Sequence, residues 1–327
     1  MRVLVVKLSS CGDVLHTLPA LSDALAARPD IACDWVVEEA FAEIPAWHPA
    51  VHRVIPVALR RWRRQPLRAL RGPQWRRARR ALAARAYDAV IDAQGLLKSA
   101  LIARLAHGPR YGMDRRSARE GVAALAYQQR MPVPRELHAI DRLRLLFARA
   151  LGYAAPQGAP DYGLDGRLPA WRPPPGTPPP GASLLFLHGS AQPRKLWPEA
   201  HWAELARLAC DAGYRVWLPF GDSAEQRRAA RLATRPGVEV LPATDLRGLA
   251  ARMRAAAGAV AVDTGPGHLA AALGLPCVSL YGPTRPQLCG TRGSHQAQLC
   301  AAPGAALSAL SPRQVWSALQ AQLAGAG

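Results

Sequence analysis

The sequence predicts an α/β protein of two doubly wound parallel-sheet domains facing a cleft. Three observations predict it. Short continuous apolar runs alternate with helix-length amphipathic stretches in both halves, the pattern of parallel strands buried on both faces. A proline-dense stretch separates the halves. The length of 327 residues suits two domains of roughly 100–200 residues each.

In chain order, residues 2–6 are a β-branched strand that ends at Ser9-Ser10-Cys11-Gly12-Asp13, and 18–27 read as a helix. Strands follow at 34–37, 54–57 and 87–93, then helices at 98–106 and 138–151. These elements define a first domain over 1–153. Between 154 and 182 lie nine prolines, including Pro173-Pro174-Pro175 and Pro178-Pro179-Pro180, a density that excludes helix and central strand and reads as a semi-rigid linker. The second domain, 183–327, places strands at 184–187, 215–219, 238–241, 260–262 and 277–280. Its helices fall at 201–212, 224–234 and 246–257, from 267, and at 311–323. A return of that last helix onto the first domain is left open. In doubly wound sheets ligands lie at the carboxyl ends of the strands, so the strand-to-helix loops should carry the chemistry.

Half the residues are apolar and a fifth charged, which excludes global disorder. No apolar run reaches the 18 or so residues of a membrane span, and the N-terminus enters a strand without a cleavage site, so neither span nor secretory signal is expected. Six cysteines without a CxxC pair point away from disulfides and zinc and toward a reducing cytoplasm. The net charge of +19 favours anionic partners: nucleic acid, a membrane surface or a phosphorylated substrate. Of 42 basic residues all but Lys7, Lys98 and Lys195 are arginine. A lysine kept in so arginine-biased a chain points to a need for a compact ammonium.

Three loops and a fourth feature, a basic segment, stand out. The first, Lys7 to Asp13 with His16 beyond it, lacks the spaced glycines of a Walker loop; taken alone, Asp13 reads first as a helix N-cap. The second, His188 to Pro198, offers Lys195 and Ser190 to a phosphate. The third, Asp263-Thr264-Gly265-Pro266-Gly267-His268, is a strand, a glycine turn and a helix start, suited to a diphosphate. The fourth runs from Arg60 to Arg80, with ten arginines, Trp62 and Trp75, and no acidic residue between Glu43 and Asp88. Arginine with tryptophan fits nucleic acid or an anionic membrane interface, and equally a solvated face inflated by codon bias. Glu225 could accept ribose hydroxyls or simply charge a first helical turn.

Lys7-Leu8-Ser9-Ser10-Cys11-Gly12-Asp13-Val14-Leu15-His16-Thr17-Leu18-Pro19 resembles the opening loop of the lipopolysaccharide heptosyltransferases, glycosyltransferase family 9. So do Asp263-Thr264-Gly265-Pro266-Gly267-His268-Leu269 and Tyr281-Gly282-Pro283-Thr284. Asp34 to Glu39, Val54 to Val57 with Arg60 to Arg63, and Tyr87 to Gly95 are similar to the heptosyltransferase I branch in particular. Ala191, the run Gln192-Pro193-Arg194, Pro266 and Gly267 depart from the usual family residues.

The resemblance implies a GT-B fold of two Rossmann-like domains. It also implies inverting transfer of L-glycero-D-manno-heptose from ADP-heptose to the first Kdo of Kdo2-lipid A, with no cofactor and no DxD metal motif. By the same resemblance the acceptor sits on the N-terminal domain and the nucleotide sugar on the C-terminal domain. Asp13 is then the expected base and Lys195 the expected diphosphate partner. Ser190, Lys195, Glu225, Asp263, Thr264, Gly265 and His268 are expected at the donor. Ser10, Gly12, Arg60, Arg61, Arg63, Arg64, Lys98 and Arg119 are expected at the acceptor. The expected partners are ADP-heptose, Kdo2-lipid A and an anionic membrane surface, without nucleic acid. The expected location is peripheral, on the cytoplasmic face of the inner membrane. The alternatives are another GT-B transferase, such as heptosyltransferase II, and an arginine-rich nucleic-acid-binding protein.

Overall fold

The computed structural model describes residues 1–63, 72–164, 167–168, 182–282, 284–302 and 304–326. They divide into two compact units, Met1–Arg167 and Leu168–Gly327. Each unit holds one six-stranded sheet among the described residues, and every strand pairing is parallel.

In the first unit the strands are β1 (Arg2–Val6), β2 (Ala32–Glu38), β3 (Val51–Val57), β4 (Ala89–Asp92), β5 (Arg110–Met113) and β6 (Gln129–Met131), in the order β3-β2-β1-β4-β5-β6. In the second they are β7 (Ser183–Leu187), β8 (Arg215–Leu218), β9 (Val238–Val240), β10 (Gly258–Val262), β11 (Cys277–Tyr281) and β12 (Gln296–Cys300), in the order β12-β11-β10-β7-β8-β9. Each sheet therefore reverses direction once, between β1 and β4 and between β7 and β10. That reversal is where a doubly wound sheet opens a crevice for a ligand.

Right-handed crossovers decide which face each helix covers. Helix Leu18–Ala27 carries the chain one way across the first sheet, and helices Pro73–Ala83 and Leu97–Ala103 carry it the other way. The latter two therefore share a layer. There Ala78 and Leu82 pack in one cluster with Ile102, Ala103 and Ala106 over Leu4, Val6 and Val90. On the other face Leu18–Ala27 lies against Ala139–Leu151, and Arg144 closes a bidentate pair on Asp23 at 2.6 and 2.9 Å. The core of the second unit gathers Phe186, Trp197, Trp202, Val260, Val278 and Leu319.

The expected linker divides. Residues before 165 stay with the first unit: Arg144 donates to the Gly158 carbonyl at 2.9 Å, and Arg167 donates to the carbonyls of His48 and Val51. Most of the proline run lies outside the described residues. The last helix, Pro312–Ala324, packs on β10, β11, β12 and helix Glu199–Asp211 of its own unit. Strands β5, β6 and β12 and helix Pro73–Ala83 were not expected, and they belong to the sheets or their layers all the same.

Candidate active site

In the first unit, the loops after β1 and β4 meet across the sheet's reversal. Gln94 joins them: its Oε1 accepts from the backbone of Leu8 at 3.0 Å and Ser9 at 3.2 Å. Lys7 Nζ donates to the Ala93 carbonyl at 3.0 Å. Buried Asp92 braces the second loop, accepting from Gln94 N, Gly95 N and the Tyr127 hydroxyl, the last at 2.7 Å.

Asp13 lies in the short helix Cys11–Leu15, whose N-cap is Ser10. This corrects the bland expectation: Asp13 is not the N-cap but the third helical residue of a capping box. The helix starts early because Ser10 is extended and already caps it. Ser10 gives both its backbone N–H (2.8 Å) and its hydroxyl (3.0 Å) to Asp13 Oδ2. Burial works to raise the Asp13 carboxyl, but Lys7, the two Ser10 hydrogen bonds and Arg119 together hold it below the ordinary carboxylate value. Burial likewise lowers the Lys7 ammonium, against the opposing pull of Asp13 and Asp92. Burial thus works against the charge of both groups, and each helps to hold the charge of the other.

Of the other expected acceptor residues, Ser10, Gly12 and Arg119 belong to this neighbourhood. Arg119 sits on the turn whose backbone abuts Gly95, a residue with φ +67° that leaves no easy room for a side chain. Lys98 is exposed in the first turn of Leu97–Ala103. Arg60, Arg61 and Arg63 follow β3, two strands from β1. Acid that the sequence places elsewhere meets them in space: Glu38 accepts from Arg60 N at 2.9 Å, and Glu39 pairs with Arg61 at 3.0 Å. The Arg60 guanidinium stands over the Phe41 ring. Arg64 lies outside the described residues.

The second unit repeats the plan at its own reversal, with the loops after β7 and β10. Lys195 Nζ lies 2.6 Å from Asp263 Oδ2, and Thr284 Oγ1 donates to the same oxygen at 2.5 Å. The Ser190 hydroxyl reaches the Asp263 carbonyl at 3.5 Å. Helix Gly265–Ala272 begins at Thr264, which makes no side-chain cap. Pro266 has no N–H, and Gly267 N and His268 N already donate to the Thr264 carbonyl at 3.1 and 3.4 Å, so this helix start offers an anion its dipole and the Gly265 N–H. Gly267 lets the helix sit close on β10, since a Cβ there would come within 3.0 Å of Ala261 Cβ. His268 is buried one turn into the helix. Asp222 caps helix Ser223–Leu232, and Glu225 within it accepts from Gly221 N at 2.7 Å and lies against Gly189.

Lys195 and Ser190 on the loop after β7 thus meet Asp263 on the loop after β10, which runs on through Thr264 and Gly265 to His268, and Glu225 lies against Gly189 on the first of these loops. Lys7, Asp92, Gln94 and Thr284 were not expected as site residues. Lysine rarity was the available signal for Lys7; Asp92, Gln94 and Thr284 lie in stretches that carry the family resemblance, but no role was assigned to them there. Among the described residues no group of three or more His, Cys, Asp or Glu side chains is arranged to hold a metal.

Residues 75–311 match the family model Glycosyltransferase family 9 (heptosyltransferase). The chain is 53% identical over 303 residues to lipopolysaccharide heptosyltransferase 1 of Pseudomonas aeruginosa, covering 91% of this chain and 83% of that protein. Among solved structures it matches E. coli heptosyltransferase WaaC with ADP at a TM-score of 0.91 and 48% identity, over 98% of this chain and 100% of that one. The same enzyme with ADP-2-deoxy-2-fluoro heptose matches at 0.87 and 47% identity, over 98% and 99%. Two parallel six-stranded sheets with flanking helices make the fold α/β and GT-B-like, as expected. Likeness on this scale, in sequence and in fold, means that the chain belongs to glycosyltransferase family 9, the heptosyltransferases.

Proposed function

We propose that the protein moves L-glycero-D-manno-heptose from ADP-heptose to the first Kdo of Kdo2-lipid A, inverting the anomeric centre. The observation that carries this reading is the second-unit crevice, where Lys195, Asp263 and an uncapped helix start share one edge. Its chemistry suits a diphosphate, and the similar E. coli enzyme is seen with ADP and with an ADP-heptose analogue.

In the proposed reaction Asp13 accepts the proton of the acceptor hydroxyl as its oxygen bonds to the anomeric carbon. The bond from that carbon to the diphosphate oxygen breaks, and its electron pair leaves with ADP. Positioned proton transfer of this kind is typically worth about 10²–10⁴ in rate. Lys195, the Gly265 N–H and the positive end of helix Gly265–Ala272 take up the charge growing on ADP, a preorganised electrostatic contribution that can equal the base. Asp263 holds the Lys195 ammonium in place, Ser190 lines the same edge, and Glu225 accepts ribose hydroxyls. On the first unit Ser10 and Gly12 shape the acceptor loop. Arg60, Arg61, Arg63, Arg64, Lys98 and Arg119 meet the Kdo carboxylates and lipid A phosphates, for which guanidinium forks are well matched.

The protein acts at the cytoplasmic face of the inner membrane as a peripheral protein. No described helix is long and apolar enough to cross a membrane. The experiment is a donor screen. Kdo2-lipid A is incubated with the protein and, separately, ADP-heptose, ADP-glucose, UDP-glucose and GDP-mannose, and products are weighed by mass spectrometry. One added heptose with ADP-heptose alone is the expected result. Transfer from another nucleotide sugar in its place overturns the reading.

A further inference from the structure

Every large hydrophobic side chain that stands exposed among the described residues lies between positions 97 and 137. Four of them form two short stripes. Leu97 and Leu101, 46% and 56% exposed, are one turn apart on helix Leu97–Ala103 and so share a face. Val122 and Leu125, 52% and 73% exposed, are three apart on the 3₁₀ helix Gly121–Ala126, where residues at that spacing eclipse. The two helices are packed together on their inner sides, where Ala100 meets Ala123 and Ala124. The outer sides thus present leucine and valine to solvent on adjoining ridges. Exposed apolar side chains gathered on two helices packed together mark a candidate interaction surface.

The charge around the stripes says what covers them. Between residues 97 and 126 stand six Lys or Arg and two acids. Both acids are engaged locally: Asp114 accepts from Ser117 N and Glu120 from Leu97 N. Lys98, Arg104, Arg115, Arg116 and Arg119 are exposed. Helix Pro73–Ala83, in the same layer over the sheet, turns Ala78 and Leu82 inward and exposes Arg76, Arg77, Arg79 and Arg80. A second copy of the chain is a poor occupant, because a two-fold interface would set one cationic rim against its twin. An anionic bilayer matches both features, since its acyl boundary takes the leucines and its headgroups take the arginines.

We propose that Leu97, Leu101, Val122 and Leu125 insert into the surface of an anionic lipid bilayer, with the surrounding arginines on its headgroups. This deepens the reading of a membrane-borne acceptor by assigning the surface that docks. The test needs neither donor nor acceptor. The triple variant L101Q/V122Q/L125Q changes exposed side chains only. Its sedimentation with vesicles of phosphatidylglycerol and phosphatidylethanolamine is compared with that of the parent chain, with phosphatidylcholine vesicles as the neutral surface. The parent should bind the anionic vesicles and scarcely the neutral ones, and the variant should bind the anionic ones about tenfold less or weaker still. Turnover on a soluble, deacylated Kdo acceptor should be unchanged, which keeps this outcome separate from the transfer reaction itself. Equal vesicle binding by variant and parent overturns the proposal. So does a parent dimer in sedimentation velocity that the variant loses, which would give the patch to a second copy, and so does loss of the soluble turnover.

Discussion

Ser10 donates twice to one oxygen of Asp13, from its backbone N–H at 2.8 Å and from its hydroxyl at 3.0 Å. The pair fixes the carboxylate at the start of a five-residue helix, beside the loop that also carries Lys7. A capping box accounts for an acidic residue at this position. It does not account for a lysine buried to 6% exposure that helps keep that acid ionised. Burying an ionisable lysine is unfavourable unless it is compensated, so its place beside this loop argues for a group in use.

At the second crevice, Lys195→Ala should weaken ADP binding by about tenfold or more, as expected for loss of one charge-assisted contact. Lys195→Arg should recover part of it, because a planar fork cannot reproduce a compact ammonium beside Asp263. Titration calorimetry with ADP measures both. Equal affinities in all three proteins would remove Lys195 from the diphosphate.

Gly189→Ala tests how tightly the Glu225 side chain is built into the donor edge. A Cβ at residue 189 would collide with Glu225 Oε1, so the carboxylate must leave its place against the loop. The bond from Gly221 N would then be disturbed. ADP affinity should fall, while adenosine-free phosphate contacts through Lys195 are spared. Calorimetry with ADP against pyrophosphate separates the two, and equal losses for both ligands would contradict the assignment of Glu225 to the nucleoside.

Two buried histidines make stability fall as the pH drops below neutral. Burial is the main cause that brings both His48 and His188 down to about 4, and Arg167 and Arg228 add to it. The unfolded chain takes up protons near pH 6.5, whereas the folded chain declines them until about pH 4. Stability is therefore full above about pH 6.5 and falls as the pH drops toward 4. At about pH 5 the loss should be about 2 kcal/mol for each histidine. Urea unfolding at about pH 7 and pH 5 should show a lower midpoint at the acid pH. Identical midpoints would contradict the linkage.

The central strands of both sheets were legible because they are buried on both faces and read as unbroken Val, Leu and Ile runs, as at Val3-Leu4-Val5-Val6 and Leu184-Leu185-Phe186-Leu187. Strands β6 and β12 close the sheets at one edge and β5 lies beside β6; Gln129-Arg130-Met131 carries no such signal. Helix Pro73–Ala83 was hidden by its arginines, since Ala78 and Leu82 alone turn fully inward. The site shows the same division. Loop position and lysine rarity pointed to Lys195, but its tie to Asp263 depends on β7 lying next to β10, which no local pattern contains. Lys7 was passed over for a related reason: its burial follows from the approach of the Ala93 loop. The acid-free arginine segment looked unpaired in sequence, yet Glu38 and Glu39 come to it across adjacent strands.

The most direct measurement is the turnover of Asp13→Asn with ADP-heptose and Kdo2-lipid A. An asparagine keeps an oxygen for the Ser10 hydrogen bonds and so preserves the cap, but it cannot accept the acceptor's proton. The thermal midpoint and ADP affinity should stay near those of the parent, while kcat falls by about a hundredfold or more. Near-parental kcat in a folded, ADP-binding Asp13→Asn protein would contradict the account and return Asp13 to the role of a helix cap.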